Sequence, residues 1–280
     1  MKIGVVGNGF VGHAMTLLRP HVEVLVWDVV PEKRDPKTLD IETFVEDSEI
    51  IFVAVPTPMN ADGSCNLDIV RSVCEEIQEI DDTKYIVLRS TVPPGTSEEL
   101  DVNFMPEFLT EKNWEEDFKN CDQWILGSTD PFLYEKMKRM FELAYNGGTG
   151  SVVNKQVIQC KPSEAEMIKY LKNVFLSVKV GFFNELESIC SEVGVDYENV
   201  RCIATQDTRI GTGHTKVPGH DGKRGFGGTC FPKDTNALAN FAKENGIESP
   251  ILDAVIKRNE EIDRPEQDWK ADKGRAVAEE

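Results

Sequence analysis

Short runs of β-branched and aliphatic residues stand at 2–6 (KIGVV), 22–27 (VEVLVW), 50–55 (IIFVAV) and 85–89 (YIVLR). They are apolar at consecutive positions rather than alternating ones, the pattern of strands buried on both faces. Segments 10–18 and 66–80 between them carry apolar residues at helical spacing. Buried strands alternating with helices predict a parallel sheet covered on both sides. A strand at 122–127, a helix near 131–145 and an edge strand within 152–160 extend the same unit.

The pattern changes at Lys161. Ser163-x-x-Glu166 reads as a capping box. Met167, Leu171, Val174, Phe175, Val178, Phe182, Leu186 and Ile189 then recur at helical spacing until Gly194, a natural stop. A helix of about 30 residues is long for one globular domain. It fits a helix that spans two domains or packs against a second copy. Lys169 and Asn173, with Ser177 and Asn184 further along, form a polar stripe opposite the apolar one. Such a stripe suits the wall of a site better than a solvated face. Beyond it lie a mostly helical stretch, a glycine-rich segment at 211–228, a helix near 235–262 and a polar, frayed tail at 265–280.

Composition narrows the function classes. Forty-nine acidic residues against 31 Lys and Arg give a formal net charge of -18, which repels phosphate backbones and anionic membranes. Nucleic-acid binding is therefore excluded. No apolar run approaches the roughly 20 residues needed to span a bilayer, and no signal-peptide pattern opens the chain. The seven cysteines (65, 74, 121, 160, 190, 202, 230) are scattered without a CxxC pair. That argues against both a disulfide framework and a metal site, and for a reducing cytoplasm.

Gly7-Asn8-Gly9-Phe10-Val11-Gly12 is a GxGxxG between a strand and a helix. Its glycines allow a tight turn and close approach of a pyrophosphate. Asp28, ending the second strand, is placed to accept the ribose hydroxyls of NAD; Lys33 and Arg34 beside it soften the bias against a 2′-phosphate. Val55-Pro56-Thr57-Pro58 and Ser90-Thr91-Val92-Pro93-Pro94-Gly95-Thr96 follow later strands at the edge where open α/β sheets bind ligands. The most informative segment is Gly225-Phe226-Gly227-Gly228-Thr229-Cys230-Phe231-Pro232-Lys233-Asp234. Pro232 suits a first helical turn, so Cys230 would lie at a helix N-terminus, which favours a thiolate. Asp234 would lie one turn on.

These segments in this order, with Met105-Pro106-Glu107-Phe108-Leu109, Glu166-Met167-Ile168-Lys169-Tyr170-Leu171-Lys172-Asn173 and Asp207-Thr208-Arg209-Ile210-Gly211, resemble the UDP-glucose/GDP-mannose dehydrogenase family over residues 1 to about 262. Phe231 favours the UDP-glucose branch. The resemblance implies NAD-dependent four-electron oxidation of a sugar nucleotide, UDP-glucose to UDP-glucuronate, through a thioester on Cys230. It implies that Lys169 and Asn173 stabilise the oxyanion and that Glu107 and Asp234 handle water, with Thr91 helping. Substrate would meet Glu107, Phe108, Leu109, Lys169, Asn173, Phe226 and Gly227, and Arg209 across a dimer interface. Cofactor would meet Gly7, Gly9, Phe10, Val11, Gly12, Asp28, Lys33, Pro56, Thr57, Thr91 and Glu111. The expected fold is α/β: a Rossmann-type doubly wound parallel sheet (1–160), then an all-α central dimerisation domain with a long helix (161–264), then the tail. Three features depart from the pattern. The family's second Rossmann-like domain is not in the chain, the stretch between Thr96 and Asn103 is short, and Glu111-Lys112 replaces a Glu-Gly pair. A single-step β-hydroxyacid-type dehydrogenase and a non-catalytic NAD-binding subunit are the competing readings.

Overall fold

A computed structural model describes residues 1–279. They form two compact units: residues 1–57 with 67–169, and residues 58–66 with 170–279.

The first unit is a seven-stranded sheet in the order β2-β1-β3-β4-β5-β6-β7. The strands are β1 (Lys2–Val6), β2 (Glu23–Trp27), β3 (Ile50–Val53), β4 (Tyr85–Leu88), β5 (Asn103–Phe104), β6 (Trp124–Gly127) and β7 (Val157–Cys160). β1 to β5 pair in parallel, whereas β6 is antiparallel to β5 and carries β7 parallel to itself. The all-parallel expectation thus holds only as far as β5. Helices α1 (Phe10–Ala14), α2 (Ile41–Asp47), α3 (Asp68–Ile80), α4 (Thr96–Glu99), α5 (Trp114–Lys119) and α6 (Pro131–Tyr145) connect them. Two apolar layers result. Ile3, Val5, Met15 and Phe141 belong to one; Val6, Phe44, Ile51 and Ile77 belong to the other. β3 is buried on both faces, as its unbroken apolar run requires. In α3 the buried residues Val70, Cys74 and Ile77 follow one helical stripe. The shortened stretch after Thr96 keeps its helix and strand as α4 and β5, reduced to four and two residues.

Helix α7 (Pro162–Glu192) has 31 residues, and the division between the units falls inside it. The capping box read at Ser163 does not form. The helix starts at Pro162, so Glu164 reaches back to the Lys161 amide (2.8 Å), and Ser163 donates to Glu98 (2.8 Å). Glu166 turns instead to α4, accepting from the amides of Gly95 (2.6 Å) and Ser97 (2.8 Å) and from the Ser97 hydroxyl (2.6 Å). Even with three donors, burial raises its pKa.

The second unit continues with α8 (Tyr197–Ala204), α9 (Phe231–Glu244) and α10 (Pro250–Arg258). The single helix expected near 235–262 is broken. Gly246 takes a positive φ of 69°, and Pro250 disfavours helical backbone at the residue before it. A π-turn, Asn259–Asp263, follows α10. The tail is not frayed as its polarity suggested. Trp269 is 3% exposed, Arg264 bonds Asp221 and Asp268, and the Met59 amide and carbonyl pair with Ala276 and Ala278. One buried indole and a buried guanidinium outweigh the polar composition. Among the described residues no helix is long and apolar enough to cross a membrane.

Candidate active site

The chain reverses direction across the sheet between β1 and β3, the crevice where doubly wound folds bind nucleotides. Residues 7–12 leave β1 at that point. Gly7 has φ 89°, and a Cβ there would lie 2.6 Å from the Ala54 carbonyl oxygen. A Cβ on Gly12 would lie 1.9 Å from the Gly7 carbonyl oxygen, so this glycine lets α1 close onto the turn. A Cβ on Gly9 would meet no atom within 4 Å. Packing does not require that glycine, and its lack of a side chain leaves the backbone open to close approach. Asp28 accepts from the amides of Asn8 (2.8 Å) and Val30 (2.9 Å), which fixes its carboxylate at the end of β2. A pyrophosphate at Gly9 and a ribose diol at Asp28 both fit this cradle, so its residues suit NAD.

Phe10 and Val11 begin α1. Lys33 contributes its carbonyl to the Asn8 amide side chain, while its own side chain is exposed. Arg34 does more locally than Lys33, donating to the Asp28 carbonyl (2.7 Å) and lying over Trp27. Thr57 and Thr91 are buried and Pro56 exposed on the loops after β3 and β4; Glu111 is exposed beyond β5.

The first unit buries a Lys169–Glu107 pair. The Lys169 ammonium donates to Glu107 Oε1 (2.6 Å) and to the Glu107 carbonyl (2.5 Å), and is 2% exposed. The other carboxylate oxygen of Glu107 accepts from the Leu109 amide (2.7 Å), and the Phe108 ring lies 5.4 Å from the ammonium. Arg89, at the end of β4, was not singled out from sequence. It is equally buried, and its Nε and Nη1 have no hydrogen-bond partner. Burial lowers its pKa, and the Glu107 charge opposes that shift. The signal was an arginine closing the otherwise apolar run 85–89.

In the second unit Cys230 is the N-cap of α9, with Pro232 in the first turn, and its thiol lies 3.6 Å from the Thr229 hydroxyl. Asp234, one turn on, accepts from the Asn173 amide (2.6 Å) and from the Lys233 ammonium (2.7 Å). Burial pushes Lys233 down, but Asp234 more than reverses it, with Cys65 and Cys230 adding to the rise. Lys233 therefore stands as a cation beside the thiol's helix turn. Ser177 and Asn184 are buried with Asn173, so the polar stripe of α7 is an interior wall. Asn184 accepts from the Gly225 amide (3.1 Å). Phe226 is buried and Gly227 lies against Arg264. Arg209 is exposed and paired with Asp207 (2.6 Å), apart from these residues in the single chain. Among the described residues no disulfide links the cysteines, and no cluster of metal-ligating side chains is found.

Residues 16–145 match the NAD-binding domain model of the UDP-glucose/GDP-mannose dehydrogenase family, and 163–261 its central domain model. The chain is 33% identical over 263 residues to UDP-glucose 6-dehydrogenase of Pseudomonas aeruginosa, covering 88% of this chain and 56% of that protein. It is 34% identical over 277 residues to UDP-glucose 6-dehydrogenase TuaD of Bacillus subtilis, covering 92% and 56%. A UDP-glucose dehydrogenase structure from Pyrobaculum islandicum superposes with a TM-score of 0.80 at 29% identity, covering 92% of this chain and 68% of that one. The chain thus spans about half the length of the curated relatives it matches.

Proposed function

Because the chain belongs to the UDP-glucose/GDP-mannose dehydrogenase family, we propose that it oxidises the primary alcohol of a sugar nucleotide to a carboxylate, with UDP-glucose as the favoured substrate. NAD, when bound, would supply the hydride acceptor for each of two oxidations. The first removes a hydride and a proton from the alcohol and leaves an aldehyde. The Cys230 thiolate adds to the aldehyde carbon and forms a hemithioacetal oxyanion. Loss of the second hydride converts that adduct to a thioester, and water releases the acid and returns the thiol. One alcohol, one water and two NAD give one carboxylate, two NADH and three protons.

The observation that carries this reading is Cys230 at the head of α9, with Asp234 one turn on and held by Asn173. A helix N-terminus and a nearby ammonium favour the thiolate. Lys169 and the Asn173 amide can each stabilise an oxyanion by roughly 3 kcal/mol. Glu107 and Asp234 are the carboxylates available to orient water. We propose a homodimer through α7, whose outward stripe is apolar: Leu171 is 62% exposed and Phe175 60%. A stripe of that kind along one helix is a self-complementary surface. A reducing cytoplasm is the compartment that keeps such a thiol active.

The test offers UDP-glucose, GDP-mannose and UDP-N-acetylmannosamine with NAD and counts NADH per sugar consumed. The expected result is two NADH per UDP-glucose. Cys230→Ser should abolish acid formation; two NADH per sugar from that variant would exclude the thioester route.

A further inference from the structure

The segment that presents Cys230 is rich in glycine, and the buried Phe226 ring, 6.4 Å from that of Phe231, anchors it by its side chain. Main-chain pairing fixes it further. Asn259 is 2% exposed in the π-turn after α10. Its Oδ1 accepts from the Phe226 amide (2.8 Å), and its Nδ2 donates to the Phe226 carbonyl (2.9 Å). One side-chain amide thereby satisfies both polar main-chain groups of one residue, as a neighbouring strand would. Gly225, at φ 64°, admits this approach, since a Cβ there would lie 2.3 Å from Asn259 Oδ1. A Cβ on Gly227 would lie 2.5 Å from the Arg264 guanidinium carbon. Arg264 is in turn held by Asp221 (2.7 Å) and Asp268 (2.8 and 2.7 Å). The π-turn is closed by the Arg264 amide on the Asn259 carbonyl (2.8 Å), which brings both residues to the same short stretch of loop.

We infer that Asn259 is a positioning residue for the Cys230 thiol: its amide fixes Phe226, and with it the loop that delivers the sulfur to the carbonyl carbon. The inference rests on the proposed nucleophilic role of Cys230. Gly227 and Gly228 separate the fixed residue from the cysteine's own turn. Losing the Asn259 pairing therefore loosens the approach, and misplacing a reacting atom by about 1 Å costs on the order of a hundredfold in rate.

The experiment uses the full chain with Asn259→Ala and Asn259→Asp. Cys230 alkylation by iodoacetamide is followed across pH by peptide mass spectrometry, with the exposed Cys202 as internal reference. NAD reduction supplies kcat and KM. Asn259→Ala should lower kcat by about tenfold to a hundredfold, leave KM for NAD within about twofold, and shift the pH profile of Cys230 alkylation while Cys202 is unchanged. In Asn259→Asp the introduced carboxyl keeps the acceptor for the Phe226 amide but faces the Phe226 carbonyl with a second acceptor until it is protonated. Its kcat and Cys230 reactivity, relative to wild type, should recover as pH falls. If Asn259→Ala does not fold, that recovery carries the test. Wild-type kcat with a wild-type Cys230 profile would overturn the inference, as would a kcat loss that leaves Cys230 reactivity unmoved. A wild-type enzyme that oxidises no sugar nucleotide, yet shows the Cys230 shift in the variants, would sink the proposed activity and leave the clamp standing.

Discussion

The two units differ in the apolar cores behind their buried polar groups. In the first, both faces of the sheet are covered, and large apolar side chains such as Phe52, Phe104 and Phe141 are fully enclosed. In the second, the buried apolar clusters are small, such as Tyr170, Val174 and Ala237, or Phe183, Cys190 and Tyr197. Asn184, Arg201, Asn259, Asp263 and Arg264 are buried beside them, and the helix faces carry exposed Leu171, Phe175, Phe182 and Ile189. A hydrophobic layer holds strands wherever volumes match and is indifferent to direction. Hydrogen-bonded amides and guanidinium forks fix particular backbone groups in particular places. The second unit uses the second kind of bonding around its loops, and its helix faces leave apolar side chains exposed.

That contrast can be broken experimentally. The largest effect is expected from Phe52→Ala in the first unit, which should cost about 3–5 kcal/mol through lost burial and a residual cavity. Urea unfolding measures it, and a loss below about 1 kcal/mol would show that the sheet is not the main source of stability. Phe175→Ser with Phe182→Ser removes exposed apolar surface from α7. It should lower the molar mass in light scattering from dimer to monomer, with little change in each chain's helical circular dichroism. An unchanged mass would remove α7 as the interface.

The smallest effect concerns the tail. Arg264 holds the Asp268 carboxyl well below its ordinary value of 3.8, with Lys223 assisting and burial opposing. A folded-state pKa below the unfolded one stabilises the fold above the unfolded value and is lost as pH falls below about 4. Asp268→Asn should therefore lower the urea midpoint slightly near neutral pH and by less at about pH 2. An equal deficit at both pH values would assign the loss to packing rather than charge.

Much of this was legible in the residues themselves. Uninterrupted Val and Ile runs have one economical fate, so β1, β3 and β4 follow from pattern alone. The GxGxxG turn and the placement of Cys230 one residue before a helix follow from what glycine and proline permit at φ and at a first turn. The direction of β6 did not follow, because periodicity does not encode strand polarity. The break at Gly246 was missed because isolated glycines also occur within helices. On α7 the sequence by itself determined a long helix with one apolar and one polar stripe, and the polar stripe already suited the wall of a site. The tertiary structure alone decided which groups that stripe meets. Lys169 finds Glu107, Asn173 finds Asp234 and Asn184 finds the Gly225 amide, and these partners lie about 40 to 60 residues away in the chain. Burial of a polar side chain is tolerable only when its partner arrives with it, and no local pattern announces a partner so distant.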